Sequence, residues 1–103
     1  MIALIYITVK DKAEAIKIAK ELLAKKLIAC ANIFDGVMSV YEWGGELCED
    51  GEVVMILKTK DELFEIVRDE ILTLSSYENP AIVKLSASDA SEKFASWVET
   101  QTL

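Results

Sequence analysis

Apolar and polar residues follow two different periods along this chain, and the switches between them mark out the elements. From Ile2 to Val9 nearly every position is apolar, the pattern of a strand buried on both faces. From Lys10 to Leu27 the period is helical. Ile16, Ala19, Leu23 and Leu27 recur at the spacing of one face, Asp11 followed by Glu14 resembles a capping box, and Lys25-Lys26 sit at the negative end of the dipole. Ile28 to Thr59 reads as one long β-hairpin. Thr59-Lys60-Asp61-Glu62 then opens a second helix with another capping box, and Leu63, Val67, Ile71 and Leu74 line its core face. Ser75 to Pro80 is turn-rich, and Asn79 is held extended by the proline that follows it. Ala81 to Leu85 makes a short strand. A last helix, capped by Ser88 or Ser91, carries the stripe Phe94, Trp97 and Val98.

The hairpin organises the rest. Gly44-Gly45 between two β-prone runs supplies the positive φ angles of a two-residue turn. Trp43 then faces Glu46, Tyr41 faces Cys48, and the chain returns with Val53 near Gly36, Met55 near Phe34 and Thr59 near Cys30. Val37, Ser39, Tyr41 and Trp43 share one face, and Met38, Val40 and Glu42 the other. Asp35-Gly36 interrupts the first arm as a bulge or bend. Arms this long exceed the usual strand of about five or six residues. The tip should project beyond the core and needs a partner surface.

The order β-α-β-β-α-β-α is the ferredoxin-like split β-α-β pattern with an extra C-terminal helix, an α+β fold in a single domain spanning 1–103. Right-handed crossovers put both major helices on one face of a four-stranded antiparallel sheet. The first strand and Val53 to Leu57 are nevertheless apolar on both faces. A bare second face would be a large exposed apolar patch, so the pattern predicts a homo-oligomer that buries it and clamps the arms.

Composition narrows the function classes. The chain is 52% apolar and carries a net charge of −7, which disfavours phosphate backbones and anionic lipid. No apolar run is long enough for a transmembrane helix. The N-terminal run lacks a basic flank and a cleavage site, so it reads as a strand of the mature domain, and the expected location is cytoplasmic. Cys30 and Cys48 form no metal-knuckle or CxxC spacing; both are expected as reduced thiols, with Cys30 buried. There is no histidine, the commonest general base and transition-metal ligand.

Glu46, Glu49, Asp50 and Glu52 form the densest carboxylate group; they read as a solvated hairpin rim, with weak divalent-cation binding as the alternative. Tyr41, Trp43, Tyr77 and Glu78, on hairpin and late turn, suit either an oligomer interface or a ligand cleft at a subunit boundary. Lys58, ending a buried strand, reads as a snorkelling side chain or an anion contact. No nucleophile–base arrangement, phosphate loop or metal-ligand set is visible, so no catalytic, cofactor or metal residue is assigned and an enzyme is not expected.

Five blocks, Leu27 to Ile33, Ser39 to Gly45, Glu52 with Ile56 to Thr59, Tyr77 to Ile82, and Phe94 to Val98, together resemble the CutA family of divalent-cation tolerance proteins. The resemblance spans almost the whole chain in order and spacing. It implies a ferredoxin-like subunit in a homotrimer whose hairpins extend sheets between neighbours. It also implies a non-enzymatic cytoplasmic protein linked to tolerance of copper and other divalent ions. A trimer similar to PII-type signal proteins further implies sensing of a small ligand in inter-subunit clefts, here by Tyr41, Trp43, Lys58, Tyr77 and Glu78. One departure stands out. Ser75-Ser76 occupies the place where the family commonly has His-Pro, and the first strand offers Tyr6-Ile7 without a cysteine. A copper site built on those ligands does not carry over, and Ser76 in place of proline is expected to loosen the turn. The competing expectation is a very stable interaction trimer that recruits a protein partner and binds no small molecule specifically.

Overall fold

The apolar run at the start of the chain becomes β1 (Ile2–Val9), a central strand of the computed structural model, which describes residues 1–103. It is followed by α1 (Lys12–Ala24), β2 (Cys30–Trp43), β3 (Glu46–Lys60), α2 (Phe64–Leu74), β4 (Ile82–Ser86) and α3 (Glu92–Gln101), with a single 3-10 turn at Asp61–Leu63 leading into α2. The sheet order is β2-β3-β1-β4, all neighbours antiparallel. This is the expected α+β, ferredoxin-like arrangement. α1 and α2 cover one face, where Ile5, Ile7 and Val9 of β1 and Val53, Met55 and Leu57 of β3 meet Ile18, Leu22, Val67 and Ile71 in the main core.

The buried side of α1 is displaced by one residue from the expected stripe. Ala15, Ile18, Ala19 and Leu22 are buried, whereas Ile16 and Leu23 are 37% and 42% exposed. The helix carries two interleaved apolar rows, and its C-terminal cap selects between them. Leu27 N–H donates to Leu22 C=O and Lys26 N–H to Leu23 C=O, each at 3.0 Å, the paired bonds of a Schellman motif. That motif brings Leu27 back over Leu22 in the core. It also forces Lys26 into the left-handed region, φ 57°, the only non-glycine residue there.

The second expected capping box does not form. β3 continues to Lys60, and the Thr59 hydroxyl, fully buried, donates instead to the Leu27 carbonyl at 2.7 Å. Asp61 accepts from Ser86 Oγ at 2.8 Å and lies 3.7 Å from Lys84 Nζ, tying the start of α2 to β4.

The sheet's second face is neither fully bare nor fully covered. α3 folds across one end, where Val98 closes over Ile2 and Ala29 with Phe94 and Ala95 beside them. Its terminus is pinned by Leu103 N–H to the Lys26 carbonyl and by Lys60, which donates to the Leu103 carbonyl. By strand parity Leu4, Tyr6, Phe34, Ile56, Val83 and Leu85 continue this face beyond the helix; Leu4, Tyr6 and Ile56 are half-buried, while Phe34, Val83 and Leu85 are about half exposed.

Candidate functional site at the hairpin root

Gly44 and Gly45 have φ of 60° and 82°, so both central residues of the hairpin turn take the positive angles expected of that glycine pair. Trp43 pairs with Glu46 and Tyr41 with Cys48, as the turn dictates. The bulge at Asp35-Gly36 then shifts the register by one. Val37 pairs with Glu52, but Phe34 pairs with Val54 and Ile33 with Met55. Cys30 consequently lies opposite Lys58, not Thr59, and is half-buried where burial is expected; neither cysteine is in a disulfide.

β3 leaves β1 at Val53, and residues 37–52 pair only with each other. This arm gives the molecule its 46 Å long axis and a radius of gyration of 14.3 Å, against about 13 Å for a compact chain of this length. No Lys or Arg occurs between Lys26 and Lys58, whereas Asp35, Glu42, Glu46, Glu49, Asp50 and Glu52 all do. The carboxylates nearest the root meet hydroxyls, not cations. Ser39 Oγ donates to Glu52, and Tyr41 OH donates to Asp50, both diagonal neighbours across the ladder on one face. The bond to Asp50 leads the causes that push the Tyr41 phenol up to about 12.

Tyr77 comes to the same place from the turn after α2. It is half-buried, and burial, followed by the neighbouring Glu52 carboxylate, raises its pKa far above the ordinary phenol range. Ser76 does not loosen this turn. Its N–H donates to Glu14 Oε1 at 3.0 Å, a bond that proline could not make. Glu14 belongs to the first capping box, where its own N–H donates to Asp11 Oδ1 at 2.8 Å. Beside the root a solvent-open hollow of about 510 Å³ is bounded by Lys10 to Ala13 on one side and by Asp35, Gly36 and Gly51 to Val53 on the other.

Of the five residues expected at a ligand cleft, the fold brings Tyr41 and Tyr77 to neighbouring carboxylates. Trp43 stands at the arm's tip, 73% exposed, and Glu78 is exposed on the turn. Lys58 lies six residues up β3 from Glu52, roughly 20 Å at the rise of a strand, with its Nζ 5.5 Å from the centre of the Phe94 ring. It does not join the others within one chain. Ser39, Asp50 and Glu52 are the partners that the sequence reading left out of the site. The alternation that puts Ser39 and Tyr41 on one face, combined with the turn register, is the signal that could have named them. No group of three or more Cys, Asp and Glu side chains converges as a metal-ligand set.

Comparison with known proteins agrees with this architecture. The profile of the CutA1 divalent ion tolerance protein family matches residues 3–101. The Pyrococcus horikoshii divalent-cation tolerance protein CutA is 37% identical over 96% of this chain and 96% of its own length. The crystal structure of the periplasmic divalent cation tolerance protein CutA from Archaeoglobus fulgidus superposes with a TM-score of 0.95 at 40% identity, covering 98% of each chain. The Arabidopsis thaliana chloroplastic protein CutA is 33% identical over 95% of this chain, which spans only 54% of that protein's length. Periplasmic and chloroplastic relatives overturn the expectation of a plainly cytoplasmic location. The physical reason is that a cellular address is carried by targeting segments, and the apolar pattern of a core strand holds no address. A family profile covering nearly the whole length, and relatives with the same fold at this identity, leave one assignment: the chain belongs to the CutA1 divalent ion tolerance protein family.

Proposed function

We propose that this chain is the non-enzymatic subunit of a homotrimer that acts in tolerance of copper and other divalent ions as a PII-like sensor of a small ligand. The carrying observation for assembly is the sheet's second face: beyond α3 it continues through Leu4, Tyr6, Phe34, Ile56, Val83 and Leu85, next to an arm that no part of its own chain covers. A stable soluble subunit buries such a patch against another copy. The ligand cleft then lies at a subunit boundary, where Tyr41, Trp43, Tyr77 and Glu78 of one copy are joined by Lys58 of the next, since Lys58 is too distant within a single chain. Metal tolerance is assigned to regulation, not to sequestration in a metal centre: histidine is lacking, and the soft donors are Cys30, Cys48 and three methionines.

The placement of the site residues favours one competing reading, an interaction trimer with no specific small-molecule ligand, because the hollow at the hairpin root is shallow and open. Thermal unfolding of the metal-free protein with copper, zinc, magnesium and a nucleotide panel, each added separately, decides between them. A ligand that binds only the folded state adds about 2.7 kcal/mol at a hundredfold excess over its dissociation constant. A saturable rise that disappears in the Tyr77→Ala/Lys58→Ala double variant, with the assembly intact, supports the sensor. A rise that survives the double variant refutes the cleft. No rise with any addition, together with capture of a defined protein partner, supports the interaction reading instead.

A further inference from the structure

Two Asp-Gly pairs stand at the root of the arm, Asp35-Gly36 on β2 and Asp50-Gly51 on β3. The dipeptide has its own chemistry. The amide nitrogen that follows an aspartate can attack its side-chain carboxyl, and glycine offers that nitrogen without a β-carbon to crowd it. In sequence the two pairs are alike. The structure separates them.

Asp35 and Gly36 fall in the bulge, between Phe34 opposite Val54 and Val37 opposite Glu52, so neither is in register with a partner. Gly36 N–H donates to Asp35 Oδ1 at 2.8 Å. That bond holds the nitrogen against the carboxyl it would attack, which removes much of the entropic cost of the encounter. Both residues are exposed and border the solvent-open hollow beside the start of α1. A β-carbon at Gly36 would meet nothing within 4 Å, so a ring closed here has room.

Asp50 is held differently. It lies in register with Ser39, and Gly51 with Met38, in unbroken strand where a side chain stands off the sheet and the next amide lies in its plane. Its carboxylate accepts from Tyr41 OH and not from Gly51. Elsewhere only Ala90 N–H donates to the carboxylate just before it, Asp89, also at 2.8 Å, and there the alanine β-carbon crowds the nitrogen. Asn79 precedes a proline, which has no N–H to react.

We propose that Asp35-Gly36 is a self-modification site, at which Asp35 converts to isoaspartate in the folded protein while Asp50-Gly51 is protected by its ladder. The Gly36 nitrogen bonds to Asp35 Cγ as the Cγ–OH bond of the protonated carboxyl breaks. The hydroxyl leaves with the amide proton as water, and a five-membered succinimide remains. Water then opens the ring at either carbonyl. Opening at Cγ restores aspartate, and opening at the Asp35 main-chain carbonyl leaves the chain running through Cγ, as isoaspartate. No co-reactant beyond water enters, and mass is unchanged. The main chain gains one carbon where the register of β2 is already broken, so the paired strands on either side can keep their partners.

The test ages the intact protein at neutral pH in heavy-oxygen water and digests it in ordinary water. Every ring opening leaves a heavy oxygen in the peptide, and isoaspartate is counted with an isoaspartyl methyltransferase and labelled S-adenosylmethionine. Both signals should gather in the peptide holding Asp35 several-fold faster than in the one holding Asp50, with Asp89 also slower than Asp35. In urea, where bulge and ladder are lost, the two Asp-Gly pairs should react alike. Asp35→Glu, which would need a six-membered ring, should remove most methyl acceptance by the native protein, and Asp50→Glu should leave it unchanged. Circular dichroism confirms each fold; if Asp35→Glu fails to fold, the site-resolved labels in the wild-type chain decide. Equal labelling of Asp35 and Asp50 in the native chain, a preference for Asp35 that persists in urea, or no label at Asp35 by the time the unfolded chain is labelled overturns the proposal.

Discussion

Lys26 carries a strain that one substitution should release. Its φ of 57° follows from the Schellman motif that ends α1, in which this position is usually glycine. A residue with a β-carbon loses about 1–2 kcal/mol in the left-handed region, and glycine loses about 0.5–1 kcal/mol more chain entropy on folding than alanine does. The difference makes Lys26→Gly stabilising by about 0.5–1 kcal/mol. The backbone bonds are unaffected: Lys26 N–H still donates to Leu23, and its carbonyl still accepts from Leu103. For a domain of this size the melting temperature should rise by about 2–8 °C. Calorimetry at fixed chain concentration checks it, because assembly makes the melting temperature concentration-dependent. Lys26→Val should lower the melting temperature, a β-branched side chain being the least tolerant of positive φ. If Lys26→Gly melts at or below the wild-type temperature, the cap is not strained and the argument fails.

Two further outcomes are expected. Ultraviolet titration should find one phenol, Tyr41, ionising near 12. A raised pKa in the folded state means that its stabilising contribution is complete below the ordinary phenol value near 10 and is lost as pH climbs to about 12; Asp50→Asn should return the transition toward 10. Ile56→Lys, on the open sheet face, should shift sedimentation toward the single chain with far-ultraviolet dichroism unchanged. Retention of the larger species would remove that face from the assembly.

Element order and the hairpin turn were legible because each rests on local rules. Gly44-Gly45 dictates the turn, alternation dictates the faces, and the spacing of Leu63, Val67 and Ile71 marks the buried side of α2. Thr59 shows where local rules lose. Its sequence context suits a helix cap, but a buried hydroxyl must find a partner, and the Leu27 carbonyl, 32 residues earlier, is the one at hand. The rows on α1 were ambiguous for a related reason. Ile16 and Ile18 are equally apolar, and only docking on the sheet chooses between them.

The candidate site divides along the same line. Periodicity alone places Ser39 and Tyr41 on the face that Glu52 and Asp50 share, since side-chain direction along a strand is a property of the backbone. The one-residue shift at Asp35-Gly36, the covering of Ile2 and Ala29 by α3, and the fastening of Ser76 to Glu14 are contacts between segments far apart in the chain. No pattern of neighbours encodes them. They are chosen when the whole chain packs, because burial and hydrogen-bond satisfaction are settled together across all elements and not within any one of them.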